Sequence, residues 1–378
     1  MIRYRVMLSA KRYIHHLASK SKITINGSQP YDIQVYDDTA YRDIYLLGRV
    51  GVGESFMANK WDSDDLVESI SRLISSGVAD EMRSLSTFFL ACKTKLFNLQ
   101  SRTRAFEVAR AHYDFGNELY EVMLDSRMVY TCADFQSVES GDLESAQEAK
   151  LKSICDKLDL KPGKRLLDVG CGWGSLMKYA AEHYGVECVG ISVSREQTQW
   201  AHDSFGDLPC TIEVVDYRDF YDDRGFDYIC SIEMIEAVGQ KNFRSYFEKL
   251  YSLLTSDGAL LIQAIVSDSK HGGADPWIDK YIFPNGTLPS HLELVGATED
   301  LFYWESVDNI GPSYEHTLLE WWRNLESGYS KLQLDDPEKY TDTVLRMFKY
   351  YLHSCAALSR TRHMHTWQIV YTPKPSSQ

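Results

Sequence analysis

The sequence predicts an α/β fold with a doubly wound, mostly parallel sheet. Three observations support this class: apolar strand-like runs alternate with helical patterns after residue 145, a glycine-rich turn follows the first of those runs, and the N-terminal segment lacks the alternation. With 378 residues, 44% hydrophobic and 25% charged, the chain is long enough for one large domain and a smaller one. We therefore expect a small, mainly helical domain over residues 1–100 and a larger α/β domain over residues 101–378.

The N-terminal domain is predicted from helical spacing. Asp62-Ser63-Asp64-Asp65 precedes apolar residues that repeat at helical intervals, and Gly77 ends the pattern. A further helix is expected up to about residue 99, a short strand near residues 33–35, and a linker over 101–104. Residues 1–30 contain no Asp or Glu but six Lys or Arg residues. Contact with an anionic membrane surface and an ordinary solvated helix face both account for this bias.

Composition excludes several classes of protein. A net charge of -14 argues against a general nucleic-acid binder, which needs a basic surface. No apolar run is long enough to span a bilayer, and the basic N-terminus lacks the apolar core of a signal peptide, so a cytoplasmic protein is expected. The eight cysteines are scattered without a C-x-x-C pair, which predicts reduced thiols and neither a disulfide framework nor a metal site.

The larger domain is predicted element by element. A helix over 145–158 precedes a strand at 165–169, and further strands are expected at 187–191, 211–215, 227–231 and 259–266, with a late antiparallel strand at 366–372. Long insertions over 271–298 and 313–362 are expected to form an apolar cover or lid. The aromatic residues of that cover are Trp277, Tyr281, Phe283, Trp304, Trp321 and Trp322.

The turn after the first strand predicts the cofactor. Asp168 is followed by Gly170, Gly172 and Gly174 in a G-x-G-x-G pattern, which differs from the spacing that receives a dinucleotide and lacks the Lys-Ser or Lys-Thr of a triphosphate loop. This favours S-adenosyl-L-methionine over NAD or ATP. Ligands of parallel sheets lie at the carboxyl ends of the strands, so the expected cofactor-binding residues there are Asp168, Gly170, Cys171, Gly172, Gly174, Ser192, Val193, Gln197, Asp216 and Tyr217.

The expected role of each residue follows from the predicted strand after which it lies. Ser192 and Gln197 are expected to share the ribose contacts, and Asp216 and Tyr217 to meet an adenine amine and ring. Beyond the fourth strand an apolar run carries two carboxylates, Glu233 and Glu236. We expect one of them to face the pocket, with a structural salt bridge as the alternative, because a buried carboxylate needs partners or takes up a proton.

Several motifs together resemble cyclopropane fatty acid synthases and, more distantly, mycolic acid cyclopropane synthases. The resemblance runs through nearly the whole chain, and it is carried by the glycine turn and by the segments Tyr130-Thr131-Cys132-Ala133, Gly190-Ile191-Ser192-Val193-Ser194-Arg195-Glu196-Gln197, Asp216-Tyr217-Arg218-Asp219, Asp275-Pro276-Trp277-Ile278-Asp279-Lys280-Tyr281-Ile282-Phe283-Pro284-Asn285-Gly286 and Tyr350-Tyr351-Leu352-His353-Ser354-Cys355-Ala356. It implies a Rossmann-like class I methyltransferase fold with seven strands and lid insertions.

The resemblance also implies the reaction. The methyl carbon of S-adenosyl-L-methionine would be added to a cis double bond of unsaturated phospholipid acyl chains, at the inner face of the membrane, by a peripherally associated enzyme. The resulting cation would lose a proton to bound bicarbonate and close a cyclopropane ring. The resemblance further implies that Tyr130 and Thr131 contact the cofactor, and it suggests a homodimer.

The resemblance implies a specific set of catalytic residues. Bicarbonate would be held by Cys132, Glu236, Gln263, Tyr314 and the backbone at Ile265, so a Glu236→Gln variant is expected to lose turnover. Cys355 matches a cysteine near the site. A covalent cysteine mechanism is less favoured, because the sulfonium already activates the methyl group and no His is adjacent to Cys132 in sequence.

Two departures from the family leave the product open. Gln263 stands where these synthases usually carry His, and Ala237 stands where relatives often have His. An amide can donate a hydrogen bond to an anion but cannot relay a proton. Methylation of the lipid alkene without ring closure is therefore an alternative. Methylation of a soluble small molecule and noncatalytic binding of lipid or cofactor are the two other classes considered.

Overall fold

The computed structural model describes residues 2–82, 115–139, 141–267 and 275–375. Its elements, in chain order, are α1 (Ile2–Lys20), β1 (Gln34–Val35), α2 (Thr39–Leu47), α3 (Arg49–Met57), β2 (Trp61–Asp62), α4 (Leu66–Ser75), α5 (Val78–Glu81), α6 (Asn117–Met123), α7 (Leu143–Lys157), β3 (Arg165–Val169), α8 (Ser175–Tyr184), β4 (Glu187–Ser192), α9 (Arg195–Phe205), β5 (Cys210–Val214), β6 (Phe226–Ile232), α10 (Phe243–Leu253), β7 (Leu254–Val266), α11 (Pro276–Tyr281), α12 (His291–Thr298), β8 (Phe302–Asn309), α13 (Tyr314–Asp335), α14 (Asp342–Arg360) and β9 (His365–Pro373). The end of the helix predicted up to residue 99 and the linker predicted over 101–104 lie outside the described residues.

The sheet of the larger unit has seven strands in the order β5-β4-β3-β6-β7-β9-β8. Strands β3 to β7 pair in parallel, whereas β9 runs antiparallel to both of its neighbours. The chain therefore winds outward in both directions from β3, as expected of a doubly wound sheet. This confirms the predicted fold class, including the late antiparallel strand.

The two faces of β3 belong to two different cores. Leu167 and Val169 pack with Phe247 and Ile262 on one face, and Leu166 packs with Met177 and its neighbours on the other. A strand buried on both faces reads as a continuous apolar run, which is why Leu166 and Leu167 could be placed in a parallel sheet from sequence.

One strand escaped prediction and corrects the interpretation of Trp304. Strand β8 pairs with β9, and Trp304 lies within it, with its ring centroid 5.1 Å from that of Tyr371. Trp304 is therefore part of the sheet and not of the apolar cover. Strand β8 is an edge strand on which Phe302 is buried and several other positions are exposed, so it has little of the apolar character by which strands were recognised.

The described residues divide into two compact units, and the helical unit includes two later segments of the chain in addition to the N-terminal one. The larger unit lies within Asn98–Gly273, Asn285–Thr317 and Met364–Gln378, and the helical unit within Met1–Phe97, Ala274–Pro284 and Leu318–His363. In the helical unit, α14 packs on α3 and α4. Arg346 of α14 donates to the carbonyl oxygens of Phe56 (2.6 Å) and Trp61 (3.0 Å) and to Asp62 (2.8 Å). Much of the predicted cover thus folds with the N-terminal elements.

The helical unit confirms the predicted helix after Asp65. The Asp65 side chain accepts a hydrogen bond from the backbone N–H of Glu68 and caps α4, which ends at Ser75. Two of the basic residues in the acid-free N-terminal segment are ion-paired, Lys11 with Asp38 and Lys20 with Glu81. Within the part of the chain that the structure describes, no helix combines the length and the apolar character needed to cross a bilayer.

Candidate active site

The glycine turn joins β3 to α8 as predicted. Gly170, Gly172 and Gly174 have φ angles of 84°, 53° and 77°, a region that L side chains rarely adopt. A Cβ atom on Gly174 would also lie 2.6 Å from the ring of Phe205. The turn therefore depends on glycine, and it leaves the first backbone N–H groups of α8 at the carboxyl edge of the sheet. Asp168 is buried beside this turn, and burial raises the pKa of its carboxyl to about 7.

Two buried polar atoms just beyond the ends of β4 and β5 have no hydrogen-bond partner among the described residues. Gln197 is buried, its carbonyl oxygen accepts from the Ser192 hydroxyl at 3.4 Å, and its Nε2 has no hydrogen-bond partner among the described residues. The hydroxyl of Tyr217 is likewise buried without a partner there. Unpaired buried donors are costly, so these atoms fit a polar ligand such as the ribose and adenine of S-adenosylmethionine.

Asp216 differs from its predicted arrangement. Its carboxylate binds the guanidinium of Arg218 at 2.6 and 2.8 Å and accepts the backbone N–H of the same residue. The expected contact with an adenine amine would have to share the carboxylate with this arginine, and it stays a prediction. Val193 and Cys171 lie where expected, directly after β4 and within the glycine turn; the Cys171 thiol is buried, which raises its pKa.

Two polar residues of α7 position the segment that contains Tyr130 and Thr131. Gln147 donates through Nε2 to the carbonyl oxygens of Val129 (3.3 Å) and Thr131 (2.9 Å). Lys150 donates to the Thr131 hydroxyl at 2.7 Å and is 1% exposed. Burial lowers the pKa of Lys150, while Glu233 and Asp125 oppose that shift. The sequence interpretation missed both residues, although two polar side chains three positions apart on a buried helix face were a usable signal.

Glu233 receives hydrogen bonds from three other residues directly after β6. Its Oε1 accepts the backbone N–H of Cys132 at 2.9 Å and the Nε2 of Gln263 at 2.7 Å, and its Oε2 accepts the hydroxyl of Tyr314 at 2.8 Å. Burial raises the pKa of this carboxyl, and the three donors and the positive charge of Lys150 act in the opposite direction.

Glu236 lies three residues further along. Its Oε1 accepts the backbone N–H of Ile265 at 2.5 Å, and its Oε2 is buried without a hydrogen-bond partner among the described residues. Burial and the nearby charge of Glu233 raise the pKa of Glu236 to about 8. At neutral pH Glu236 is therefore largely protonated.

The orientation of the Gln263 amide follows from its neighbours. Lys157 donates to Oε1 of Gln368 at 2.6 Å, and Nε2 of Gln368 donates to Oε1 of Gln263 at 2.9 Å. Because Oε1 of Gln263 is thus an acceptor, its NH₂ group points at Glu233. Both glutamines are buried, so this chain of hydrogen bonds is shielded from water.

The structure brings together most of the predicted catalytic residues. The backbone of Cys132, the side chains of Gln263 and Tyr314, and the backbone N–H of Ile265 all reach one of the two carboxylates. The Cys132 thiol is fully buried next to the carbonyl oxygens of Ala133 and Ile310, and burial raises its pKa. A thiolate nucleophile is therefore disfavoured, and Cys132 contributes its N–H.

Cys355 lies on α14 in the helical unit. Its pKa is raised to about 12 by burial and by the charge of Asp275. Its predicted proximity to the reaction stays a prediction.

The residues present do not fit bicarbonate. The donors expected to hold it, at Cys132, Gln263 and Tyr314, already bind Glu233, and the N–H of Ile265 already binds Glu236. A further anion would lie beside the Glu233 carboxylate, with none of those four donors left to bind it and only the protonated carboxyl of Glu236 to donate. The sequence interpretation named Glu233 but assigned the site to Glu236.

Comparisons with known proteins agree with this architecture. The family model "Mycolic acid cyclopropane synthetase" matches residues 100–369. The chain is 40% identical over 362 residues to the cyclopropane-fatty-acyl-phospholipid synthase of Escherichia coli K12, covering 96% of this chain and 93% of the relative. It is 31% identical over 357 residues to the tuberculostearic acid methyltransferase UfaA1 of Mycobacterium tuberculosis, covering 88% and 80%.

A solved structure of similar fold is the mycolic acid cyclopropane synthase CmaA1 complexed with SAH and CTAB, with a TM-score of 0.64 and 28% identity, covering 71% of this chain and 98% of that one. The region matched by the family model includes the glycine turn, both carboxylates, strands β3 to β8 and β9 as far as residue 369. The chain therefore belongs to the mycolic acid cyclopropane synthetase family, and it is an S-adenosylmethionine-dependent methyltransferase.

Proposed function

We propose that this enzyme adds the methyl carbon of S-adenosylmethionine to the cis double bond of unsaturated phospholipid acyl chains and closes a cyclopropane ring. The observation that carries the proposal is the 40% identity, over 96% of the chain, to a relative named cyclopropane-fatty-acyl-phospholipid synthase. The carboxylate pair at the carboxyl end of β6 supports it, because ring closure requires a proton acceptor next to the cofactor.

The chemistry explains why the site is polar at a few atoms and apolar around them. When bound, the cofactor supplies an electrophilic methyl group. The alkene is a weak nucleophile, so the protein has to hold it in a near-attack position and keep water away from the cation that forms. Tyr130 stacks edge-on with Tyr120 at 5.2 Å between centroids, and Tyr120 contacts Trp173 of the glycine turn at 5.1 Å. Such ring faces stabilise a cation without attacking it.

Acyl chains of phospholipids are reached at a membrane surface, so we include peripheral binding to the inner face of the membrane in the proposal. Arg12, Lys20 and Lys22 of the N-terminal segment are exposed, and each exposed cation near an anionic surface contributes about 1 kcal/mol. The ion pair between Lys20 and Glu81 reduces this contribution. A homodimer also stays a prediction.

A second candidate function is methylation of the same double bond without ring closure. The neutral Gln263 amide favours it, because the amide cannot accept or relay a proton. The identity to a relative named tuberculostearic acid methyltransferase supports it as well.

The test is transfer of radiolabelled methyl from S-adenosylmethionine to vesicles of cis-monounsaturated phosphatidylethanolamine and phosphatidylglycerol, followed by proton NMR of the extracted lipid. We expect label in the lipid and high-field cyclopropane methylene signals. Vinylic methylene or branched methyl signals would instead support the second candidate function, methylation without ring closure. Label in a soluble acceptor, or no transfer despite bound cofactor, would contradict both.

A further inference from the structure

The anion position of this site is occupied by a side chain of the protein itself. Three groups that the family resemblance assigns to bicarbonate, the N–H of Cys132, the hydroxyl of Tyr314 and the side chain at position 263, all donate to Glu233 at 2.7 to 2.9 Å. A carboxylate and bicarbonate share the same planar pair of oxygens, so donors arranged for one suit the other.

The two oxygens of Glu233 are not equivalent. Each carboxylate oxygen has about two lone-pair directions. Among the described residues, Oε1 accepts hydrogen bonds from Cys132 and Gln263, whereas Oε2 accepts one from Tyr314. Oε2 therefore retains a lone pair that can take a proton. Glu233 is also partly exposed, which leaves it accessible to a substrate.

The backbone supports a functional interpretation of Glu233. Its φ is +51°, in the left-handed region that glycine occupies more readily than glutamate. Strain of this kind persists where the surroundings hold it in place and is common at catalytic sites. At Glu233 the bonds from Cys132, Gln263 and Tyr314 hold the side chain while the backbone carries the strain.

We propose that the Glu233 carboxylate is the base of the reaction and that this enzyme works without bicarbonate. This inference rests on the proposed function. The alkene π pair forms a C–C bond to the methyl carbon while the C–S bond breaks and S-adenosylhomocysteine leaves. Oε2 of Glu233 then takes a proton from that carbon, and the freed C–H electron pair forms the second ring bond to the cationic carbon. The proton leaves Glu233 to solvent after the product departs, so no oxidant or further reactant is needed.

The first test uses the unchanged protein in carefully degassed, bicarbonate-free buffer with the labelled vesicle assay. We expect wild-type turnover to stay within twofold of its value in 20 to 50 mM added bicarbonate, an order-of-magnitude range for occupying an anion site. Label that appears in lipid only when bicarbonate is added would overturn this inference. Absence of label in every buffer, including those with bicarbonate, would instead be the failure of the proposed function.

Matched variants then separate Glu233 from Glu236. We expect Glu233→Gln to lose at least about 100-fold in kcat, the size typical of losing a general base, with unchanged affinity for S-adenosylmethionine by calorimetry. Glu236→Gln should lose less, because Glu236 is already protonated at neutral pH. This revises the expectation from sequence that Glu236→Gln loses turnover. The exposed Asp257→Asn, at the opposite end of β7, is the carboxylate-to-amide control. Full activity of Glu233→Gln, or a larger loss in Glu236→Gln, would overturn the proposal.

A glycine variant gives a positive readout that does not depend on Glu233→Gln folding. Glu233→Gly relieves the positive φ and frees the donors at Cys132, Gln263 and Tyr314. We expect it to be inactive in bicarbonate-free buffer and to gain at least tenfold on addition of bicarbonate or formate. A variant that binds S-adenosylmethionine but is not rescued by either anion would show that these donors do not define the base position, and would overturn the inference.

Discussion

Replacing Tyr314 by Phe tests whether the hydrogen bond to Glu233 controls the proton acceptor. The hydroxyl donates to Oε2 of Glu233 at 2.8 Å, a bond between a neutral donor and a charged acceptor. Such bonds contribute about 1.5–3 kcal/mol. Because the bond stabilises the charged form of Glu233, its loss raises the pKa of the carboxyl by about 1–2 units.

The direction of the pH effect follows from the role of the base. Glu233 accepts a proton only when it is deprotonated, so activity is lost as pH falls through its pKa, which burial already raises. Tyr314→Phe should move the acid limb of the kcat profile upward by about 1–2 pH units, leaving a tenfold to 100-fold deficit at pH values below both pKa values. The two enzymes should converge at high pH, because the Phe ring keeps the aromatic face.

The assay is kcat for methyl transfer to vesicles between about pH 6 and pH 9.5, a range around the raised pKa values that such a base adopts. Tyr303→Phe is the control, since Tyr303 lies on β8 with 52% of its surface exposed. An unshifted acid limb in Tyr314→Phe would refute the reasoning. An equal loss at every pH would do so too, because it would show that Tyr314 acts through the substrate and not through Glu233.

Three further predictions concern stability and the amide at position 263. The pKa of Glu236 is about 8 in the folded enzyme against an ordinary 4.5, so the free energy of unfolding falls as pH rises between these values. Glu236→Gln should remove this pH dependence and, at pH 9, raise the free energy of unfolding above that of wild type by on the order of 1–3 kcal/mol, as measured by urea unfolding. Gly174→Ala should lower the free energy of unfolding by about 2–4 kcal/mol, because of left-handed backbone strain and the contact with Phe205. Gly296→Ala, where an added Cβ has nothing within 4 Å, should be neutral or stabilising, and equal melting temperatures of the two variants would contradict this reasoning. Gln263→His should keep activity within about tenfold of wild type at pH 8 and lose it as the imidazole protonates near about pH 6.5. A folded variant that is inactive at every pH would contradict the claim that a neutral imidazole can replace the amide as hydrogen-bond donor.

Much of the fold could be predicted because β3, β4, β6 and β7 lie at the centre of the sheet. Their buried faces leave a continuous apolar pattern in the sequence, and the glycine turn identifies which strand comes first. Strand β8 has one buried face at an edge and gave no such signal. The assignment of residues 318–363 to the helical unit could not be predicted, because α14 packs on α3 and α4 by contacts far apart in sequence.

The residues of the candidate site could be predicted, but not the carboxylate to which they donate. The family resemblance placed Cys132, Gln263 and Tyr314 in one cluster, and the structure joins them by hydrogen bonds to Glu233. Which of two carboxylates three residues apart faces these donors depends on the backbone turn at φ +51°, and no periodicity reports a single left-handed residue.

The Glu233 carboxylate and the departure from the family pattern at Gln263 are coupled by charge. A protonated imidazole beside Glu233 would form an ion pair with it, lower its pKa and weaken it as a base. The Gln263 amide donates one hydrogen bond with no net charge, so it orients Glu233 while allowing burial to keep the pKa raised. The Lys157–Gln368 chain makes the amide a donor and thereby prevents the alternative orientation, in which two carbonyl-type oxygens would face each other. For Glu233 to act as the base, the residue at position 263 therefore has to be a neutral hydrogen-bond donor. The presence of Gln263 in place of the family His thus argues against bicarbonate and for Glu233.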